Sequence, residues 1–220
     1  MATVTIIGGH GKIALRLARL LSERGHKVTS WIRNAAHAGD VRDAGAASAV
    51  LDVEFLSIDE MSDALRGADV VVWSAGAGGG NPERTVAVDR EAAIRSMEAA
   101  LEAGVARYVM VSYFGAGPDH GVPEDNAFFP YAQAKTDADA HLSSTDLSWT
   151  ILGPSTLSDE AGTGRIEVGG EGTGVRGAKV TRDDVASVAA YVIEHQGFEG
   201  RTILFNNGET PIAEALDSLR

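Results

Sequence analysis

Two spacings in this 220-residue chain can do chemistry. Tyr131 and Lys135 stand four residues apart, so on a helix they share one face. A phenol with a pKa of about 10 is a poor proton-transfer group at neutral pH, and a nearby ammonium favours the phenolate. With four tyrosines and four lysines in the whole chain, the pair is informative. The second spacing is Gly8-x-x-Gly11-x-x-Ala14. It lies between the β-branched run Thr3–Ile7 and a stretch that puts Ile13, Leu17, Leu20 and Leu21 on one helical face. A strand that turns into a helix through small residues leaves unpaired amides and a partial positive charge at the helix start. Glycines there let a pyrophosphate approach the backbone. Gly8, Gly9, His10, Gly11, Lys12 and Ile13 are therefore expected at a dinucleotide site. The His10 and Lys12 side chains either reach the phosphates or face solvent.

The elements that must position these residues alternate along the chain. Strands are expected at Thr3–Ile7, Lys27–Ile32, Ala47–Leu51, Asp69–Ser74, Arg107–Ser112, Ser148–Leu152 and Thr202–Phe205. Helices are expected at Lys12–Arg24, Ile58–Leu65, Glu83–Ala103, Tyr131–Ser143, Arg182–Glu194 and Ile212–Ser218. Ser57 and Glu60 match a capping box, and Thr210-Pro211 reads as a cap followed by proline at the first helical position. Alternation of this kind specifies an α/β fold, a Rossmann-type doubly wound parallel sheet with a small C-terminal substrate region. One domain over residues 1–220 is expected, with substrate-side loops at 115–129 and 153–180. The stretch Gly162–Gly177 carries seven glycines and reads as a loop walling a substrate pocket.

The second strand bears on the cofactor. NAD sites place a carboxylate near its end to bond the ribose hydroxyls. Here Arg33 and Asn34 follow the strand, and the next carboxylate is Asp40. A guanidinium suits a 2′-phosphate, so NADP(H) is expected rather than NAD(H). Leu51-Asp52 follows the third strand, where Asp52 either accepts from the adenine or sits in a solvated turn. Ala75 and Gly76 follow the fourth strand, where small residues let the backbone approach the cofactor.

Composition narrows the partners. A net charge of −12, spread along the chain, repels nucleic acid and anionic membrane. The chain has no cysteine, which removes disulfides, thiolate metal sites and thiol catalysis. The six histidines show no ligand spacing, so no metal is expected. No apolar run spans a bilayer and no basic leader precedes Thr3, which fits a cytoplasmic protein. A small-molecule substrate is expected, and either a monomer or a homodimer.

The glycine loop, Arg33, Leu51-Asp52, Ser74-Ala75-Gly76, Val111-Ser112, Tyr131-x-x-x-Lys135 and Trp149–Pro154 together resemble the short-chain dehydrogenase/reductase superfamily. The likeness is to its compact, atypical, extended-like branch of small NAD(P)H-binding proteins. These are sugar-epimerase-like, and more distantly similar to NmrA-like sensors and biliverdin/flavin reductases. The resemblance implies that Tyr131 is the acid–base catalyst, Lys135 its modulator, and a hydroxyl at Ser112 or Tyr113 the group that polarises substrate. It places Pro154 and Ser155 beside the cofactor with Ser112, Tyr131 and Lys135. The family's hydroxyl pair is here Ser112-Tyr113, and strand alternation lets only one of them face the nicotinamide. The expected activity is hydride transfer between NADPH and a small carbonyl, quinone or flavin-type substrate. A non-catalytic NADP(H) sensor that binds a protein partner and an NAD-dependent sugar epimerase or dehydratase are the alternatives.

Overall fold

A computed structural model describes residues 1–78, 81–170 and 173–220. The elements run β1 (Thr3–Ile7), α1 (Lys12–Glu23), β2 (Lys27–Ile32), a 3-10 turn (Ala35–His37), α2 (Ala38–Asp43), β3 (Ala47–Val50), α3 (Ile58–Leu65) and β4 (Val70–Trp73). Next come α4 (Pro82–Thr85), a π-helical stretch (Val86–Ala92), α5 (Ala93–Glu102), β5 (Arg107–Val111), α6 (Phe129–Ser143), β6 (Ser148–Pro154) and β7 (Thr156–Ser158). The chain closes with β8 (Arg165–Gly169), β9 (Lys179–Thr181), α7 (Arg182–Glu194), β10 (Arg201–Asn207), β11 (Thr210–Pro211) and α8 (Ile212–Asp217).

The main sheet has the order β11-β8-β10-β6-β5-β4-β1-β2-β3. It is parallel from β3 to β10, and β8 then adds antiparallel to β10. All of β4 is buried, as expected for a strand covered on both faces. Two apolar layers provide that cover. Leu17, Leu21, Val188 and Leu216 pack one face, and Met61, Met97, Leu142 and Trp73 pack the other. This is the doubly wound Rossmann arrangement.

Register decides what meets at the top of the sheet. Ile7 pairs with both Trp31 and Trp73, and Trp73 pairs with Met110. Gly8, Ile32–Arg33, Ser74–Ala75 and Val111–Ser112 therefore leave the sheet at one level, where open α/β sheets bind ligands.

Several expectations change. The Gly162–Gly177 stretch is not simply a loop, because Arg165–Gly169 forms β8. Ile166 is buried within it, and β10 and β11 flank the strand; the glycines around it obscure a short alternating run. Residues 171–172 of that stretch lie outside the described residues. Thr210-Pro211 does not cap a helix through Thr210. Pairing with β8 holds the two residues extended, Pro211 itself occupies the cap position, and helix starts at Ile212. The expected helix Glu83–Ala103 is three segments, with a π-helical stretch in the middle. The region Ala35–Asp43, given no element from sequence, is helical. The capping box at Ser57 and Glu60 is formed from both sides.

Candidate functional site

A cleft of about 270 Å³ opens along the ends of β1, β2 and β4. Its floor is the glycine turn. Gly8 has φ +84°, and a Cβ there would stand 2.5 Å from the Ala75 backbone. A Cβ on Gly9 would collide with Ser30, and the Gly9 amide donates to Trp31 O at 2.8 Å. The first intrahelical bond runs from Leu15 to Gly11, so the amides of Lys12, Ile13 and Ala14 have no carbonyl behind them. No acidic residue occupies the first turn of α1. The turn is thus a backbone cradle that side chains would fill, with free donors at its rim. Its chemistry fits a pyrophosphate.

Arg33 is exposed at the end of β2 and borders the cleft. Among the described residues no carboxylate pairs with it. The Asn34 carboxamide oxygen accepts from Ala36 N and so starts the following turn. That turn and α2 bring Asp40 back to the glycine loop, where it meets His10 Nε2 at 2.7 Å. Sequence distance had set Asp40 aside, and folding returns it. Leu51 and Asp52 line the opposite wall. Asp52 Oδ1 accepts from Glu54 N at 3.2 Å, which closes a tight turn. Arg95 holds the Val53, Glu54 and Leu56 carbonyls of this wall, and Arg84 ties Glu54 to the Ala77 carbonyl.

Beyond Gly76 lies a buried polar cluster. Asp89, in the π-helical stretch, accepts from Ala77 N at 2.9 Å, and a Cβ on Gly76 would stand 3.1 Å from its Oδ1. Lys135 is 1% exposed, and its ammonium donates to Val111 O at 2.9 Å and to Met110 Sδ at 3.1 Å. Ser112 Oγ donates inward to Asp139, whose second oxygen is buried without a partner among the described residues. The Tyr113 ring leans on Phe128 and Tyr131, with centroids 5.4 and 5.7 Å away, and its buried hydroxyl has no partner among the described residues. The hydroxyl pair therefore divides, Ser112 to the interior carboxylate and Tyr113 to the aromatic group containing Tyr131.

The electrostatics of the cluster differ from the expected ammonium-stabilised phenolate. Burial pushes the Tyr131 phenol well above its ordinary value, and Asp89, Asp139 and Tyr113 push it in the same direction. Burial likewise raises Asp89 and Asp139 and lowers Lys135, against the attraction among them. Tyr131 is therefore a neutral phenol that holds its proton more tightly than a free one.

Pro154 and Ser155 are buried near the end of β6. Ser155 Oγ donates to Asn206 Oδ1 and accepts from Ala178 N, so its hydroxyl anchors the segment before β9. Lys12 Nζ lies 2.6 Å from Asp159, which also meets Arg182. Among the described residues no three metal-ligating side chains cluster, and no helix is long and apolar enough to cross a membrane.

Asp89, Asp139, Arg84 and His37 were not singled out from the sequence. Asp139 had a signal, since it lies four residues beyond Lys135 on the same helical face. Asp89 had none, because a π-helical turn far upstream places it.

The NAD(P)H-binding family pattern matches residues 8–196. An uncharacterized sugar epimerase of Bacillus subtilis, YhfK, is 33% identical over 98% of this chain and 99% of its own. A solved Bacillus halodurans structure, provisionally named an NAD-dependent epimerase/dehydratase, is 32% identical with a TM-score of 0.90 over 100% of both chains. The oxidoreductase ylbE of Lactococcus lactis is 29% identical with a TM-score of 0.87, covering 99% of this chain and 96% of its own. With the glycine turn inside the matched region, the chain belongs to the NAD(P)H-binding family.

Proposed function

We propose that this protein is an NADP(H)-dependent oxidoreductase that reduces a small carbonyl, quinone or flavin-type substrate. The observation that carries this reading is a cleft lined from Arg33 to Gly76 and Val88, with Asp89 and the half-buried Tyr131 just beyond it. The amides of Lys12, Ile13 and Ala14 bind the pyrophosphate, and Arg33 binds the 2′-phosphate. Gly76, with no side chain, would leave the backbone open to the cofactor beside Asp89. The bound nicotinamide supplies the hydride. Tyr131 gives the proton to the substrate oxygen, its ring held between Tyr113 and Phe128. Tyr113 and Phe128 extend an apolar, aromatic wall suited to a planar substrate.

Epimerase chemistry is the second reading, favoured by the name of the Bacillus subtilis relative. Its opening step needs Tyr131 to take a proton rather than give one. The test follows NADPH oxidation against a panel of aldehydes, ketones, quinones and flavins. The account expects turnover that Tyr131→Phe lowers by about 10²–10⁴-fold. Turnover indifferent to that change removes Tyr131 from the reaction. Tightly retained NAD in the purified protein favours the epimerase.

A further inference from the structure

The His10 and His37 rings lie face to face, with centroids 3.6 Å apart and planes 13° from parallel. His10 belongs to the glycine loop and is fixed by Asp40 at 2.7 Å. His37 ends the 3-10 turn that follows Arg33. Both histidines border the cleft with Arg33. Among the described residues the His37 ring makes no hydrogen bond, whereas His10 is engaged.

We propose that His37, held flat against His10, is the second cationic arm of the 2′-phosphate site and makes selection of NADP(H) over NAD(H) dependent on proton uptake. The proposal rests on the NADP(H) reading above. Arg33 alone is a long, exposed side chain whose ordering opposes binding, whereas a stacked imidazole is already oriented. Imidazole titrates near neutrality, and a phosphate ester loses its second proton at a pKa of about 6. Bringing the two together draws a proton onto the ring and forms a charge-assisted hydrogen bond. Asp40 does not oppose the phosphate directly, because its carboxylate is turned to His10. The other charged groups at this cleft are Arg33 on the same turn, Asp52 beyond β3 and Arg84 on α4, the last tied to Glu54.

Calorimetric titration of the whole protein with NADPH and with NADH tests this, because the two differ only in the 2′-phosphate. It is run in buffers of different ionisation heat, from about pH 6 to about pH 8. Wild type is expected to take up a proton with NADPH but not with NADH, and its preference for NADPH should fall as pH rises. His37→Phe keeps the stack and removes the donor. It should weaken NADPH about tenfold, leave NADH unchanged and abolish the proton uptake. His37→Gln keeps a donor that cannot titrate, so affinity should return in part while the pH dependence stays lost. Equal loss for both cofactors in His37→Phe, or an unchanged NADPH preference, overturns the inference. In the latter case, loss of the preference in Arg33→Ala would leave the NADP(H) reading standing. A wild type that does not prefer NADPH overturns both.

Discussion

Replacing Gly8 by alanine probes the cleft floor through two separable effects. The residue has φ +84°, and left-handed backbone costs an L-residue about 1–2 kcal/mol. The added Cβ would also stand 2.5 Å from Ala75 N and Cα, both backbone atoms, where ordinary contacts are about 3.5–4.0 Å. Accommodating it must shift the end of β4 or the turn itself, and overpacking of this kind costs about 1–3 kcal/mol. Together the effects come to about 2–5 kcal/mol, or roughly 5–15 °C in melting temperature for a chain of this size. Two controls separate the terms. Gly25 has the same φ of +84° with nothing within 4 Å, so Gly25→Ala reports the backbone cost alone. Gly9 lacks a positive φ but faces Ser30, so Gly9→Ala reports the contact alone. Thermal and urea unfolding of the three variants should rank Gly8→Ala as the most destabilised. If Gly8→Ala is no worse than Gly25→Ala, the turn does not press on β4 and the cradle argument fails.

Two further outcomes follow from buried charge. Asp139 is raised by burial, so its folded form holds a proton more firmly than the unfolded chain does. Its favourable contribution is complete below the unfolded pKa of about 3.9 and is lost as pH rises through the folded value. Asp139→Asn should therefore gain stability over wild type at neutral pH, with the gain shrinking as pH is lowered toward about 4; denaturant titrations across that range will show it. A loss at neutral pH would mean that Lys135 holds the carboxylate ionised. Arg107 donates to the Val192, Ile193 and His195 carbonyls at the end of α7. Arg107→Met should cost about 1–3 kcal/mol in urea unfolding by leaving those acceptors unpaired, and an unchanged midpoint would contradict the capping role.

What the sequence made legible is what local periodicity encodes. Thr3–Ile7, Lys27–Ile32, Ile58–Leu65 and Arg182–Glu194 have the same boundaries in sequence and structure, since each is a clean apolar run or stripe between clear signals. The glycine turn and Arg33 were legible for the same reason. The charge environment of Tyr131 was not. It depends on Asp89, 42 positions upstream, and on a π-helical turn with no pattern of its own. The Tyr–Lys spacing placed both residues on one helix, but Lys135 spends its hydrogen bonds on Val111 and Met110. Strand β8 was obscured because glycines, read as loop, bound this short strand on both sides. Asp40 shows the same limit from the other side, because α2 folds it back onto the glycine loop.

The central claim is that one cleft, running from Arg33 across Gly8 to Gly76, takes NADP(H) and brings its reactive end to Tyr131. Hydrogen exchange read peptide by peptide, with and without saturating NADPH, tests it most directly. The account predicts new protection in residues 8–14, 31–37, 74–78 and 131–135, with residues 15–20 and 183–187 on the outer face of α1 and α7 unchanged. Protection confined to that outer face, or none at residues 8–14 and 74–78, would contradict it.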